Sequence, residues 1–171
     1  MKNFLLLLLL IVGPASISQV TMELTPQGFA SFTIPKPDVP AQRLEDRIRG
    51  WVSSYNEKNE FGYDIYDVSE GGLSIDAHKR NAFFYRNKGE VFQHRIKYTM
   101  RIEYLETNIK VQFSVAEVYA KKNRIELTVA DLFAPDGRLK DDYLDAKPSL
   151  EKTASKIVNS FADYMAKTQQ N

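Results

Sequence analysis

The 171-residue chain contains no cysteine and only two histidines. Without thiols it cannot form a disulfide, a thiolate metal site or a cysteine-based catalytic site. It also lacks the spaced patterns that mark other common sites: HExxH for zinc, GxxxxGK[ST] or GxGxxG for phosphates, and GxSxG for a serine nucleophile. We therefore expect no cofactor, no metal ion and no catalytic residue, and an enzyme is the minority hypothesis.

Apolar runs are also scarce, and the one long run lies at the N-terminus. Phe4–Val12 follows Lys2 and precedes a Gly-Pro pair, an order that is typical of a secretory signal peptide. Its nine residues are far fewer than the roughly 20 that a helix needs to cross a bilayer, so an uncleaved anchor is the weaker alternative. We expect cleavage after Ser18, which makes residues 1–18 the signal peptide. The mature protein would be exported, periplasmic or secreted, without a stable membrane anchor.

Neither sign of charge is in excess. Lys2 is the only charged residue before Gln19, so the mature chain carries 22 basic and 22 acidic residues. A neutral protein lacks the net basic field that drives binding to phosphate backbones, so we expect no nucleic-acid partner. Ten Phe and nine Tyr supply enough apolar area for a packed core without disulfides. We expect a lead-in over 19–27, one domain over 28–167 and a frayed tail over 168–171.

Two stretches have the apolar period of an amphipathic helix. Apolar residues recur at three- and four-residue steps over Ala41–Tyr55 and again over Leu150–Met165. Pro40 suits the first turn of the first helix, and the second helix begins near Pro148. Each helix therefore has one apolar face to bury.

Other segments alternate apolar and polar residues, which predicts strands. The clearest is Phe92–Tyr104, whose even positions are apolar with one exception and whose odd positions are polar. A tight turn after it would set Ile102 opposite Val111. It would also set Glu103 opposite Lys110, so that an acid meets a base. The predicted strands are Phe29–Ile34, Tyr63–Val68, Leu73–His78, Phe92–Tyr104 and Ile109–Val115.

The resulting order, β-α-β-β-β-β-α, favours an α+β fold. An antiparallel meander sheet would carry both long helices on one face, as a two-layer sandwich. Two segments leave alternatives open. Asn81–Glu90 is either a hairpin tip or a loop folded over the core, and residues 125–129 either form a strand or lead into a capping box from Thr128 to Asp131.

Several of these features together resemble a family of secreted bacterial proteins of unknown function with a TBP-like fold. They are the strand that ends at Pro35, the helix that carries Trp51, the pair Gly71 and Gly72, the hairpin over Tyr98–Val115 and the closing amphipathic helix. The resemblance covers residues 29–165 and implies the TBP-like fold. It implies no catalytic residues, and a fold name does not import DNA binding.

Two groups of residues could in principle bind a metal ion. His78 and His94 could be ligands or a base, but they lack ligand spacing, so we expect a polar-face His78 and a half-buried, hydrogen-bonded His94. A group of aspartates near the second helix lacks the calcium-loop pattern and is typical of a solvated loop. Its members are Asp131, Asp136, Asp141, Asp142 and Asp145.

Six residues form the candidate interaction surface. Three basic residues, Arg95, Lys97 and Arg101, fall on the solvated face of the central strand, where they could contact an anionic ligand. Three consecutive aromatic residues cannot all face inward from an extended segment. We expect this aromatic segment to cover the core from a loop, with an exposed partner surface as the alternative. Its residues are Phe83, Phe84 and Tyr85.

A complete core without reaction chemistry favours an exported, non-enzymatic binding or interaction module. Its ligand would be an unidentified protein or small molecule in the cell envelope. The alternative is a hydrolase whose carboxylate or histidine site has no recognisable motif, and the oligomeric state stays open.

Overall fold

The computed structural model describes residues 19–167. This part of the chain contains eight strands and two α-helices. The predicted signal peptide, 1–18, and the predicted tail, 168–171, lie outside the described residues. Two short 3₁₀ helices, Ala130–Leu132 and Asp141–Tyr143, precede the last helix. In chain order the main elements are β1 (Leu24–Thr25), β2 (Gly28–Phe29), β3 (Phe32–Pro35), α1 (Ala41–Asn56), β4 (Tyr63–Ser69), β5 (Gly72–Asn87), β6 (Glu90–Tyr104), β7 (Asn108–Ala120), β8 (Asn123–Ile125) and α2 (Ala146–Lys167).

One antiparallel sheet has the strand order β3-β7-β6-β5-β4, and β8 pairs with β7 beside it. Strands β4 to β7 form the predicted meander. The predicted register is confirmed, because Ile102 pairs with Val111 and Glu103 with Lys110. The Glu103 carboxylate also accepts a hydrogen bond from Lys110 Nζ at 3.1 Å.

The core lies between this sheet and the two helices. Even-numbered residues of β6 from His94 to Ile102 are buried, and the apolar ones belong to the same cluster as the buried faces of α1 and α2. Trp51 of α1 meets Phe161 of α2 edge to face, with ring centroids 5.1 Å apart and both side chains buried. The predicted α+β architecture, an antiparallel sheet with two helices, is therefore confirmed.

The start of the domain differs from the prediction. The single strand predicted over Phe29–Ile34 is interrupted: β2 ends at Phe29 and pairs with β1, and β3 begins at Phe32 and pairs with β7. The observed order thus matches the predicted one only roughly, with β1, β2 and β8 added. Strands of two or three residues are too short to show a period of two, which is why the sequence did not reveal them.

The predicted lead-in over 19–27 is part of the fold. Its segment Val20–Leu24, which we call the N-terminal strap, lies extended along α2, with Met22 and Leu24 buried. Alternate N–H groups of an extended chain are about 6.6 Å apart and helix positions four residues apart are about 6 Å apart, so the spacings match. The strap N–H groups donate as follows: Val20 to Asn159 Oδ1 at 2.8 Å, Met22 to Ser155 Oγ at 3.0 Å and Leu24 to Glu151 Oε1 at 2.8 Å.

Two irregularities lie on either side of β6, and we call them the flanking bulges. On β5, Lys79 pairs with Ile96 and Phe83 with His94, so residues 80–82 stand opposite one residue of β6. On β7, an extra residue lies where the register shifts at Lys97. Bulges bend a strand and redirect its side chains, so these two re-aim the residues on both sides of β6.

Gly71 and Gly72 offer a matched pair for testing the β4–β5 turn. A Cβ on Gly72, whose φ is +151°, would lie 2.0 Å from the carbonyl oxygen of Ile102, whereas a Cβ on Gly71 would meet Ser69 Oγ at 3.8 Å. We expect Gly72→Ala to lower the free energy of unfolding by more than about 1 kcal/mol and Gly71→Ala to change it by less than about 0.5 kcal/mol. Urea unfolding measures both, and equal losses would contradict this geometry.

Asn159 allows a direct test of the strap. Its Oδ1 accepts from the Val20 N–H, and its Nδ2 donates to the Val20 carbonyl at 2.7 Å. Asn159→Ala leaves both backbone groups without these partners, so we expect a loss of about 1–3 kcal/mol in the free energy of unfolding. Lys152→Ala, on the exposed side of the same helix, is the control. An unchanged stability of Asn159→Ala would show that the strap contributes little.

Candidate functional site

The candidate site is the solvent-facing surface of β5, β6 and β7, on the side of the sheet away from the helices. We call it the open face. The odd-numbered residues of β6 lie on it, and three cross-strand pairs in its middle are polar. Asp76 pairs with Thr99, Lys97 with Glu117, and Arg95 with Tyr119.

The first group on the open face centres on the Asp76 carboxylate. It accepts hydrogen bonds from Thr99 Oγ1 at 2.6 Å and Tyr66 Oη at 3.1 Å, and it forms a 2.8 Å ion pair with Lys97 Nζ. Partial burial alone would raise the pKa of Asp76, but these three donors outweigh it and hold that pKa below its ordinary value of 3.8. The carboxylate is therefore ionised and fully engaged, which suits a structural anion better than a general base.

The second group is built around Arg95, and we call it the arginine stack. The guanidinium carbon lies 3.8 Å from the ring centroid of Phe61 and 3.8 Å from that of Tyr119. Arg95 Nη1 lies 3.0 Å from His78 Nδ1. Because arginine can only donate, Nδ1 accepts, and the proton of a neutral His78 lies on Nε2. Two aromatic faces and one acceptor thus fix the plane of the guanidinium.

Electrostatics support this assignment for His78. Burial is the main cause that lowers the pKa of His78 below 6.5, and the positive charges of Arg95 and Lys97 lower it further. The His78 ring is consequently neutral at pH 7. On the other side of the stack, the Tyr119 hydroxyl donates to the Glu117 carboxylate, which raises the pKa of Tyr119 and lowers that of Glu117.

Phe61 reaches the open face because the loop between α1 and β4 crosses the edge of β5. Strand β4 begins opposite Ala77, so the edge of β5 beyond that point is free of β4. Asn59 fills it: its Nδ2 donates to the His78 carbonyl at 2.9 Å, and its Oδ1 accepts from the Phe61 N–H at 3.2 Å. One asparagine thereby positions the aromatic face that covers Arg95.

Beside the arginine stack lies a cavity of about 400 Å³, which we call the basic pocket. The β5 bulge supplies Arg80, and the two-residue turn between β7 and β8 supplies Lys121 and Lys122. With Arg95 these make four cationic side chains against one carboxylate, Glu60, which pairs with Arg80. The pocket therefore has a net positive charge in a chain that is close to neutral.

The structure separates the six predicted surface residues. Arg95, Lys97, Arg101 and Phe84 share the open face, whereas Phe83 is 3% exposed in the core. The aromatic segment belongs to strand β5, so the predicted loop over the core is wrong, and the hairpin alternative for 81–90 is right. Strand alternation explains the separation: the middle ring of the three points the opposite way from its neighbours. Tyr85 is the remaining member, half-buried and stacked on Phe92 and His94 on the helix side.

Sequence reasoning missed several residues of this site. Phe61 lies in a loop, Tyr119 follows the β7 bulge, and Lys121 and Lys122 form a turn. None of these positions belongs to a regular period, so pattern analysis gives no signal for them. The adjacent lysines, which follow the predicted strand Ile109–Val115 by a few residues, were the only available hint.

His94 also differs from the prediction of a half-buried, hydrogen-bonded side chain. It is 3% exposed and stacks on Phe83 and Tyr85 at centroid distances of 4.9 and 5.3 Å. Neither ring nitrogen has a hydrogen-bond partner among the described residues. Burial lowers the pKa of His94 below 6.5, and the backbone of Tyr119 offsets part of this effect. His94 thus acts as a neutral core residue.

In residues 19–167 no three His, Asp or Glu side chains are grouped so as to hold a metal ion. Two of the aspartates near α2 have local partners: Asp131 accepts from the N–H and hydroxyl of Thr128, and Asp145 pairs with Arg86. Within the same residues no helix has both the length and the hydropathy to span a membrane.

Two solved structures share this fold. A TBP-like protein from Parabacteroides distasonis ATCC 8503 superposes with a TM-score of 0.50 at 16% sequence identity, over 81% of this chain and 91% of that one. A DUF4468 family protein from Bacteroides ovatus ATCC 8483 superposes with a TM-score of 0.51 at 10% identity, over 81% of this chain and 82% of that one. Such identities show the fold alone, and they confirm the TBP-like α+β architecture. No family model and no curated protein matches the sequence.

The buried His94 makes stability sensitive to acid. Its folded-state pKa lies below the unfolded value, so below pH 6.5 the unfolded chain binds the additional proton and folding weakens as pH falls. We expect His94→Phe, which keeps an aromatic ring in the stack, to remove up to about 1.4 kcal/mol per pH unit of this slope. Urea unfolding between about pH 7 and pH 5 measures the slope, and His78→Phe is the control for the second histidine. Parallel slopes for His94→Phe and the native protein would contradict a titrating His94.

Proposed function

We propose that the protein is an exported, non-enzymatic binding module whose ligand contacts the open face. The observation that carries this proposal is the arginine stack, which fixes a guanidinium plane beside a basic pocket. Holding an arginine between two aromatic rings restricts its side chain before any ligand arrives, and such preorganisation favours binding.

The state of the titratable groups supports binding over hydrolysis. Each candidate base on the open face already accepts hydrogen bonds: Asp76 from three donors, His78 Nδ1 from Arg95, and Glu117 from Tyr119. A general base must approach a substrate proton, whereas each of these groups is held by a neighbouring side chain. Side chains that hold one another in this way are suited to positioning a binding surface, which favours binding over hydrolysis.

Export is proposed from the N-terminal sequence and from the position of the strap. The apolar run Phe4–Val12 and the small residues before Gln19 are typical of a cleaved leader. The strap makes its first hydrogen bond to α2 at Val20. Cleavage after Ser18 would therefore leave the strap intact.

Photo-crosslinking at two matched positions tests the proposal. A photoreactive amino acid replaces Gln93, which is exposed on the open face, or Lys152, which is exposed on α2. Each variant is expressed with residues 1–18 in a bacterial host and irradiated in the envelope fraction. We expect ligand adducts from position 93 and none from position 152, on protein whose mass corresponds to a start at Gln19.

Four results would contradict the proposal. Equal adducts at both positions would indicate non-specific contact, and adducts at neither position would remove the evidence for a ligand. Turnover of a hydrolase substrate, lost when Asp76 is replaced by Asn, would indicate an enzyme instead. A cytoplasmic protein that retains Met1 would contradict export.

A further inference from the structure

The basic pocket contains more positive charge than the described residues neutralise. Arg80 has a carboxylate partner in Glu60. Arg95, Lys121 and Lys122 form no ion pair with any carboxylate in residues 19–167. Three uncompensated cations around one cavity favour an occupant with more than one negative charge.

Arg95 also has unused hydrogen-bonding capacity. Its Nη1 donates to His78, but its Nε–H is buried without a partner among the described residues. The stack on Phe61 and Tyr119 prevents the guanidinium from turning towards solvent. A guanidinium held in this way is the typical partner of a planar or tetrahedral oxyanion, because its donors match two oxygens at once.

Lys121 occupies a backbone position that favours glycine. Its φ is +54°, in the left-handed region that is costly for residues with a Cβ. It is the first residue of the two-residue turn between β7 and β8, where Ala120 pairs with Asn123. Strained residues of this kind concentrate at ligand sites. The strain here places a lysine ammonium at the basic pocket.

We infer that the basic pocket binds a doubly charged oxyanion, with a phosphate monoester as the ligand class. The inference rests on the proposed function, since it names the chemistry that the open face recognises. The pocket offers one guanidinium and two ammonium groups that have no carboxylate partner among the described residues. Hydrogen-bond donors that approach from several directions suit a phosphate monoester, which has three terminal oxygens and two charges. They suit a carboxylate less well, because it has two oxygens and one charge.

Titration with inorganic phosphate at about pH 8, where it is doubly charged, tests the inference on ¹⁵N-labelled protein. We expect the amide signals of Gln93, Lys121 and Lys122 to shift, and acetate at equal ionic strength to bind at least about tenfold more weakly. Arg95→Gln should raise the Kd for phosphate by about tenfold or more, the usual effect of losing a charged hydrogen bond. Lys152→Gln removes one positive charge from the exposed side of α2, outside the pocket and the open face, and should leave the Kd within about twofold.

Lys121→Gly gives a second, independent variant. Glycine relieves the left-handed backbone, so we expect an unfolding midpoint at or above that of the native protein, together with a Kd for phosphate raised about threefold or more. A stable variant with weaker binding assigns the lysine to the ligand rather than to the fold. This variant also decides the question if Arg95→Gln fails to fold.

Vesicles of phosphatidylcholine that contain phosphatidic acid test whether the phosphate monoester belongs to a lipid. If it does, we expect the vesicles to broaden the amide signals of Gln93, Lys121 and Lys122. Three results would overturn the inference: no shift at the pocket, acetate as effective as phosphate, or Lys152→Gln as damaging as Arg95→Gln. If phosphate fails while position 93 still gives adducts, the ligand class is wrong and the binding module stands. If phosphate binds while position 93 gives no adduct, the proposed function fails instead.

Discussion

The period-two alternation of β6 is the constraint on which the rest of the structure depends. This strand is central in the sheet, its even-numbered residues lie under the two helices, and its odd-numbered residues face solvent. A shift of one residue would bury Arg95 and Lys97 and expose Tyr98 and Met100. Because such a shift would bury charged side chains and expose core side chains, the hydrophobic pattern fixes the register of β6. The register in turn determines which side chains lie on the open face.

The flanking bulges explain why the candidate site lies at Arg95 and not elsewhere along β6. In regular pairing, β5 and β7 would each place one residue opposite Arg95. The β5 bulge instead brings Arg80 and Asn81 to the pocket, and Asn81 has a φ of +48°. Positive φ angles at Asn81 and Lys121 place two strained residues around one cavity. Bulges and strain of this kind concentrate where a protein positions side chains for a ligand.

The sequence predicted the parts of the fold that have a period. The end of helix α1 was predicted within one residue, α2 begins two residues before the predicted start near Pro148, and the β6–β7 register is as expected. The parts without a period were missed, including the strap, β8 and the loop that brings Phe61 to Arg95. The candidate site was predicted only where it follows the alternation of β6, because its other members come from turns, loops and bulges.

The strap has a consequence for the order in which the chain folds. Val20 and Asn159 are 139 residues apart. The strap is synthesised before α2, so it can pair with α2 only after the rest of the domain has been synthesised. Contacts between such distant residues slow folding, because the intervening chain must be ordered before they form. Until α2 docks, the N-terminal segment therefore lacks these hydrogen-bond partners, and its pairing with α2 brings the two ends of the domain together.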